Sequence, residues 1–154
     1  MWQKIGILAF WMTFPGLIVY LGRSERTRIV IACGQKIVVV KGWLGTGKWV
    51  LPGGGLHAGE APNVGLLREV AEETGLHLEN AKVKALFREV YRYHGIRFPC
   101  HYYFVEIPET VPLHAQFLEI VDIAWIAKNQ LDTHTAAPDV LHALRHLAAQ
   151  SKHR

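Results

Sequence analysis

The order of elements along this chain predicts an α/β fold, in which a mixed sheet is covered by helices on its faces. Strand-like runs come first, an amphipathic helix follows, further strand-like runs come next, and a helix with an apolar stripe ends the chain. With 154 residues, half of them hydrophobic and 19% charged, the chain is long enough for one domain with its own core. The sequence shows no internal repeat and no sign of a second domain.

Three strands are predicted before the first helix. They are rich in β-branched and aromatic side chains and cover residues 27–33, 36–41 and 49–51. Gly34-Gln35 supplies the turn between the first two. A glycine-rich loop over residues 42–48 precedes the third strand, which runs into Pro52 and a row of three glycines.

The first helix is predicted to begin near Pro62 and to end before Gly75. Proline is favoured in the first turn of a helix, and glycine is favoured just past its end. At about 100° per residue, one side of this helix carries three glutamates, Glu69, Glu72 and Glu73. The roughly opposite side is expected to pack on the core through Val64, Leu67, Val70, Ala71 and Thr74.

The second half of the chain predicts three more strands and a helix. Residues 81–93 and 100–107 are joined by His94-Gly95 and are typical of a hairpin, and residues 121–126 form a further strand. The last helix covers residues 138–150. Its apolar stripe consists of Val140, Leu141, Leu144, Leu147 and Ala148.

The three glutamates are the strongest sign of chemistry in the sequence. Like charges at helical spacing repel one another and destabilise the helix, so a cation is expected to compensate them. Hard divalent metal ions are the usual partners of clustered oxygen ligands. The plain alternative is a solvated helix face, which is the commonest fate of a charge run.

The glutamates belong to a longer pattern. Gly54 is followed by five residues and Glu60, then by seven residues and the run Arg-Glu-Val-x-Glu-Glu-x-Gly-Leu from Arg68 to Leu76. This pattern resembles the Nudix box of the Nudix hydrolases at every defined position. Seven fixed residues at fixed spacing would arise by chance with odds on the order of one in a billion per starting position. The resemblance extends over about residues 27–150.

Membership in this family implies a Nudix-type α/β/α sandwich and hydrolysis of a diphosphate linkage in a nucleoside diphosphate derivative. Magnesium is the implied metal ion, and manganese is often able to substitute for it. By their positions in the box, Glu72 and Glu73 are implied as metal ligands. Glu69 is implied as a further ligand or as the base that takes a proton from water, and the carbonyl of Gly54 as another ligand.

Three other charged residues are predicted to support the site or to bind the metal. Glu60 and Arg68 are expected to pair and to hold the loop against the helix, and Arg68 also stands one turn from Glu72. Glu119 is a candidate metal ligand, because the family often draws another carboxylate from that region. An exposed loop acid is an equally good reading of Glu119.

Four residues outside the box are candidates for substrate binding: Arg28, Trp43, Lys48 and Tyr91. A loop tryptophan could stack on a base, and members of the family that act on dinucleoside polyphosphates carry a tyrosine near the spacing of Tyr91. Each candidate has an ordinary alternative. Arg28 and Lys48 suit a charged surface, Trp43 suits a cover over the core, and Tyr91 suits an aromatic ladder along a strand.

The first 22 residues are not explained by the resemblance. Residues 5–22 carry no charge and just reach the length of a membrane span, and arginines follow them. Pro15-Gly16 near the centre would break or kink a helix. We therefore expect this segment to pack on the domain or across a homodimer interface, with membrane contact as the alternative. The Nudix domain is expected over residues 23–154.

The remaining sequence features bear on compartment and partners. Cys33 and Cys100 form no CxxC motif and lie in strand-like runs, so buried free thiols in a reducing cytoplasm are expected. A net charge of +4 suits an anionic substrate and leaves nucleic acid open. Two alternatives to a cytoplasmic hydrolase stay open. One is a non-catalytic nucleotide-binding regulator, and the other is a membrane-attached hydrolase of a lipid-linked diphosphate.

Overall fold

The structure is a computed structural model. It describes residues 25–42, 46–93, 96–115 and 120–151, with the side chains of residues 91–93 and 96 left out of the description. Several sequence predictions lie outside the described residues: the apolar segment over residues 5–22, Trp43, the turn at His94-Gly95, and Glu119.

Five strands and two main helices make up the described fold. In chain order they are β1 (Arg26–Cys33), β2 (Lys36–Gly42), α1 (Pro62–Thr74), β3 (Lys84–Tyr93), β4 (Ile96–Glu106), β5 (Ile120–Ala127) and α2 (Pro138–Ser151), with a short 3-10 helix at Lys128–Gln130 between β5 and α2. The predicted order of strands and helices is confirmed except for the third predicted strand. Pro62 opens α1, and Gly75 ends it in a left-handed conformation with φ of 72°.

Three predicted strands differ from the structure, and one of them is the fifth, which begins at Ile96, four residues before its predicted start. Trp49 and Val50 form one isolated bridge each and no full strand, because the chain turns at once into Pro52, which has no N–H to donate. The fourth predicted strand begins three residues late, at Lys84. The N–H groups of Ala81 and Val83 donate to carbonyls only two or three residues earlier, so this part of the chain turns locally and forms no sheet ladder.

The sheet is mixed, as the order of elements predicts. Its strand order is β3-β4-β1-β2-β5, with β1 and β4 parallel and the other neighbouring pairs antiparallel. One helix covers each face. Alternating side chains of β1 make this possible, because Ile29 and Ile31 point to the α1 side while Val30 and Ala32 point to the α2 side.

The two faces of the sheet carry separate cores. On one face, Val38 and Val105 pack with Leu66 and Val70 of α1. On the other face, Val39, Leu51 and Tyr102 pack with Val140 and Ala143 of α2. A sheet buried between two helical layers is the α/β/α sandwich that the sequence implied.

The packed face of α1 differs from the prediction. Val64, which was expected to face the core, is 53% exposed, while Leu66 is fully buried. The helix packs through Leu66, Val70 and Thr74, so the buried direction is rotated toward the glutamate side. Glu69 and Glu73 therefore flank the packed face and do not lie opposite to it.

Helix α2 lies on the other face and is fixed in part by aromatic contacts. The ring of Phe87 on β3 stacks on Tyr102 at 4.5 Å and also contacts His142 at 5.1 Å and His146 at 4.6 Å between ring centroids. The two histidines of α2 thus serve packing between the helix and the sheet. Among the helices that the structure describes, none is both long and apolar enough to cross a lipid bilayer.

Candidate functional site

The free edge of β1 holds the loop that precedes α1. On this edge, β2 pairs with β1 only at the last two residues of β1, Ala32 and Cys33. The first half of β1 pairs instead with residues 52–56. The N–H of Thr27 donates to the carbonyl of Gly54 at 2.9 Å, and the N–H of Ile29 donates to the carbonyl of Pro52 at 3.0 Å. The glycine row is therefore held as an additional extended segment beside β1.

Two glycines of this row are required by their surroundings. Gly53 has φ of 126°, and a Cβ at this position would lie 2.3 Å from the carbonyl oxygen of Thr27. A Cβ at Gly54 would lie 2.2 Å from Oε2 of Glu69. The absence of a side chain at Gly54 thus creates the space that the Glu69 carboxylate fills.

Glu69 and Glu73 converge on this loop from α1. Oε2 of Glu73 accepts a hydrogen bond from the N–H of Gly53 at 2.8 Å. Glu69 lies against Gly54, and its side chain is only 17% exposed. Residues at positions i and i+4 share one side of a helix, so one face of α1 brings both carboxylates to the Gly53–Gly54 segment.

Arg68 ties the loop and the glutamates together. Its guanidinium donates to both carboxylate oxygens of Glu60, at 3.0 and 2.9 Å, and to the carbonyl of Gly55 at 3.1 Å. Nη1 of Arg68 also donates to a carboxylate oxygen of Glu69 at 2.8 Å and lies 3.5 Å from a carboxylate oxygen of Glu72. The structure thus contains the predicted Glu60–Arg68 pair, and Arg68 supplies part of the positive charge that the glutamates need.

The Glu60–Arg68 pair is ionised over a wide pH range. Hydrogen bonds from Arg68, supported by the N–H of His57 at 2.9 Å, lower the pKa of Glu60 to about 2. The same hydrogen bonds raise the pKa of Arg68. Both groups are therefore charged at neutral pH, which suits a permanent brace between the loop and α1.

The residue types at this loop fit a hard divalent cation. Carboxylate and carbonyl oxygens are the ligands that magnesium prefers, and Gly54 leaves room for the Glu69 carboxylate beside its own backbone. The carbonyl of Gly54 accepts one hydrogen bond, from Thr27, and keeps a second lone pair. Within the described ranges, no three His, Cys, Asp or Glu side chains are gathered as a metal site. The metal-binding roles of Gly54, Glu69, Glu72 and Glu73 stay predictions.

Arg28 lies at this loop, and its role in substrate binding stays a prediction. Its guanidinium donates to the carbonyl of Gly53, and its Nε lies 3.9 Å from a carboxylate oxygen of Asp139. Asp139 lies in the first turn of α2 and is 8% exposed, and burial raises its pKa while Arg28 opposes that rise. Sequence reasoning missed Asp139. A single acid in the first turn of a helix gives no signal of a partner on a distant strand.

Sequence reasoning also missed Arg26. The isolated bridge between Arg26 and Gly55 places this arginine beside the glycine row, and its spacing of two from Arg28 puts both side chains on one face of β1. That spacing is visible in the sequence. It becomes informative only once the glycine row is known to pair with β1.

Lys48 is the remaining candidate whose side chain the structure describes, and its contact is with a different loop. Nζ of Lys48 donates to the carbonyl of Thr133 at 2.6 Å, in the loop before α2. Tyr91 lies on β3, where its backbone pairs with Phe98, and its side chain is not among those described. Trp43 and Glu119 fall outside the described residues. Substrate binding by Lys48, Tyr91 and Trp43 and metal binding by Glu119 therefore stay predictions.

Comparison with known proteins places this site in a family context. A family model described as NUDIX domain matches residues 23–147. A curated relative from Bacillus subtilis (strain 168), the uncharacterized Nudix hydrolase YvcI, is 32% identical over 74 residues. That alignment covers 46% of this chain and 42% of the relative, so the chain spans less than half of the relative's length.

Solved structures share the fold. The NUDIX domain of Shewanella oneidensis NrtR, solved with ADP ribose, has a TM-score of 0.70 at 18% identity, covering 82% of this chain and 86% of that chain. A binary complex of a C. elegans Ap4A hydrolase has a TM-score of 0.69 at 16% identity, covering 85% of this chain and 99% of that chain. At this level of identity the likeness establishes the fold, and it confirms the Nudix-type sandwich.

Proposed function

This chain belongs to the NUDIX domain family, and from that premise we propose that it hydrolyses a diphosphate linkage in a nucleoside diphosphate derivative. One observation carries the proposal. Glu69 and Glu73 converge on the Gly53–Gly54 segment, and Arg68 braces that segment against α1. A solvated helix face would not need a glycine at position 54 to accommodate a carboxylate.

The side chains divide the work between positioning and proton transfer. Glu69 holds the attacking water and accepts its proton, because its carboxylate lies against the loop and Arg68 restrains one of its oxygens at 2.8 Å. Glu73 is positioned by the N–H of Gly53, and Glu72 by Arg68 one turn away. When bound, magnesium or manganese would neutralise charge on the diphosphate and lower the pKa of water.

The proposed substrate is a small nucleotide derivative. Two structural neighbours are associated with such molecules, since the NrtR domain was solved with ADP ribose and the other neighbour is an Ap4A hydrolase. A net charge of +4 favours an anionic ligand. Arg28 at the carbonyl of Gly53 brings positive charge to the loop that a diphosphate would approach.

A substrate panel tests the proposal. The full chain is incubated with ADP ribose, Ap4A, nucleotide sugars and nucleoside triphosphates, and the products are separated by ion-exchange chromatography. We expect magnesium-dependent release of a nucleoside monophosphate or pyrophosphate, which chelator abolishes and manganese partly restores. Binding of panel members without cleavage under every metal condition would instead support a non-catalytic regulator and would overturn the proposed hydrolysis.

A further inference from the structure

Arg26 and Arg28 are neighbouring cations on one face of β1 with different surroundings. Arg28 has protein partners, since it donates to the carbonyl of Gly53 and lies 3.9 Å from the Asp139 carboxylate. Arg26 has no ion-pair partner among the described residues. Its guanidinium carbon lies 5.0 Å from the ring centroid of Phe98, and its buried Nε has no hydrogen-bond partner there either.

A cation in this position is costly without an anion. Burial lowers the pKa of the Arg26 guanidinium, and the neighbouring charge of Arg28 lowers it further, while Glu69 and Glu73 oppose the shift from beyond contact distance. An arginine Nε–H that is buried and unpaired gives up hydration for no hydrogen bond. The ring of Phe98 offsets only part of this cost.

The glycine row leaves free space at Gly55, directly opposite Arg26. Arg26 lies directly opposite Gly55, between the hydrogen bond from Thr27 to Gly54 and the hydrogen bond from Leu56 to the carbonyl of Glu25. A Cβ at Gly55 would meet no atom of the described residues within 4 Å. Room for one further group is therefore free beside Gly55, on the backbone segment that Arg26 faces.

We propose that Arg26 binds a phosphate oxygen of the substrate beside the glycine row. This inference rests on the proposed function and adds a substrate-binding residue to it. The planar guanidinium presents parallel N–H donors that match a phosphate, and it lies over the ring of Phe98. Arg28 keeps the loop in place through Gly53, so one arginine positions the loop and the other contacts the ligand.

Titration of the full chain with inorganic pyrophosphate tests this division of roles. Isothermal titration calorimetry compares the wild type with Arg26→Gln and Arg26→Lys, each with magnesium and with chelator. The matched control is Arg97→Gln, because Arg97 is an exposed arginine on the neighbouring strand β4. We expect Arg26→Gln to weaken pyrophosphate binding at least about tenfold, Arg26→Lys to weaken it less, and Arg97→Gln to leave it within about twofold.

A structural role for Arg26 predicts a different pattern. If Arg26 only supported the fold, Arg26→Gln would lower the melting temperature of the ligand-free chain. We expect that temperature to be kept and the rise induced by pyrophosphate to be lost. Equal affinity of the wild type and Arg26→Gln under both metal conditions, or no binding by the wild type under either, would overturn the inference.

The inference and the proposed hydrolysis fail in different ways. The chain could bind pyrophosphate through Arg26 and yet cleave no panel member. That result would contradict the proposed hydrolysis and support phosphate binding by Arg26. Cleavage with the same KM in the wild type and in Arg26→Gln would support the proposed hydrolysis and contradict phosphate binding by Arg26.

Discussion

Substitution of Gly54 by alanine tests the geometry on which the proposed chemistry depends. The new Cβ would lie 2.2 Å from Oε2 of Glu69 and 2.4 Å from its Cδ, whereas ordinary contacts begin near 3.4 Å. The carboxylate must therefore withdraw by about 1.2 Å. A displacement of about 1 Å costs roughly 100-fold in rate for a positioned catalytic group, which corresponds to about 2.7 kcal/mol of transition-state stabilisation.

The fold should survive this change. The backbone of Gly54 is not in the left-handed region, and the atoms that a Cβ would meet belong to the end of a flexible side chain. The expected loss of unfolding free energy is below about 1 kcal/mol, because the partly exposed contact between Arg68 and Glu69 is what weakens. Urea denaturation measures this loss. Gly55→Ala serves as the stability control, since its Cβ would meet no atom within 4 Å.

A double-mutant cycle connects the effect to Glu69. The rate kcat/KM is measured on the best panel substrate for the wild type, Gly54→Ala, Glu69→Gln and the double variant. If alanine acts by displacing the Glu69 carboxylate, it should cost little in the chain that already lacks that carboxylate. Wild-type activity in Gly54→Ala, or additive losses in the double variant, would refute the reasoning.

Three further outcomes are expected. Glu73→Gln should lower kcat at least about 100-fold with an unchanged urea midpoint, because glutamine still accepts the loop N–H but lacks the charge. Stopped assays measure the first quantity and urea titration measures the second. Glu60→Gln should lower the unfolding free energy by a constant amount above about pH 5. Pairing with Arg68 lowers the pKa of Glu60 from 4.5 to about 2, so the difference between the variant and the wild type should fade as the pH falls from 4.5 to about 2. Thr74→Val should cost about 1–3 kcal/mol, since the buried N–H of Leu76 loses its acceptor at 3.1 Å, whereas Thr74→Ser should retain most of the stability in the same urea titration.

Much of the fold could be predicted from local patterns. The bounds of α1 follow from Pro62 and Gly75, and the strands follow from runs of β-branched residues. The buried side of α1 was predicted less well. A pattern of apolar residues does not say how a helix is rotated against both a sheet and a loop, so Val64 was assigned to the core and Leu66 was overlooked.

The supporting contacts of the site were predictable only where they are local. Glu60 and Arg68 belong to one short motif, and their pair was expected and is present. Thr74 was expected only to pack on the core, yet its hydroxyl donates to the carbonyl of Val70 at 2.6 Å and accepts from Leu76. A capping role of this kind depends on how the chain leaves the helix, which residue type alone does not specify.

The sequence by itself determined which carboxylates share one side of α1, because the angular position of a residue on a helix follows from its number. Only the tertiary structure decided what faces them. The glycine row lies about 25 positions from β1 in the chain and pairs with it through backbone hydrogen bonds. Backbone N–H and carbonyl groups are the same in nearly every residue, so the residue types do not reveal this pairing. That pairing places Arg26 and Arg28 beside the loop. Long-range backbone pairing leaves no periodic trace in the sequence, whereas helical spacing does.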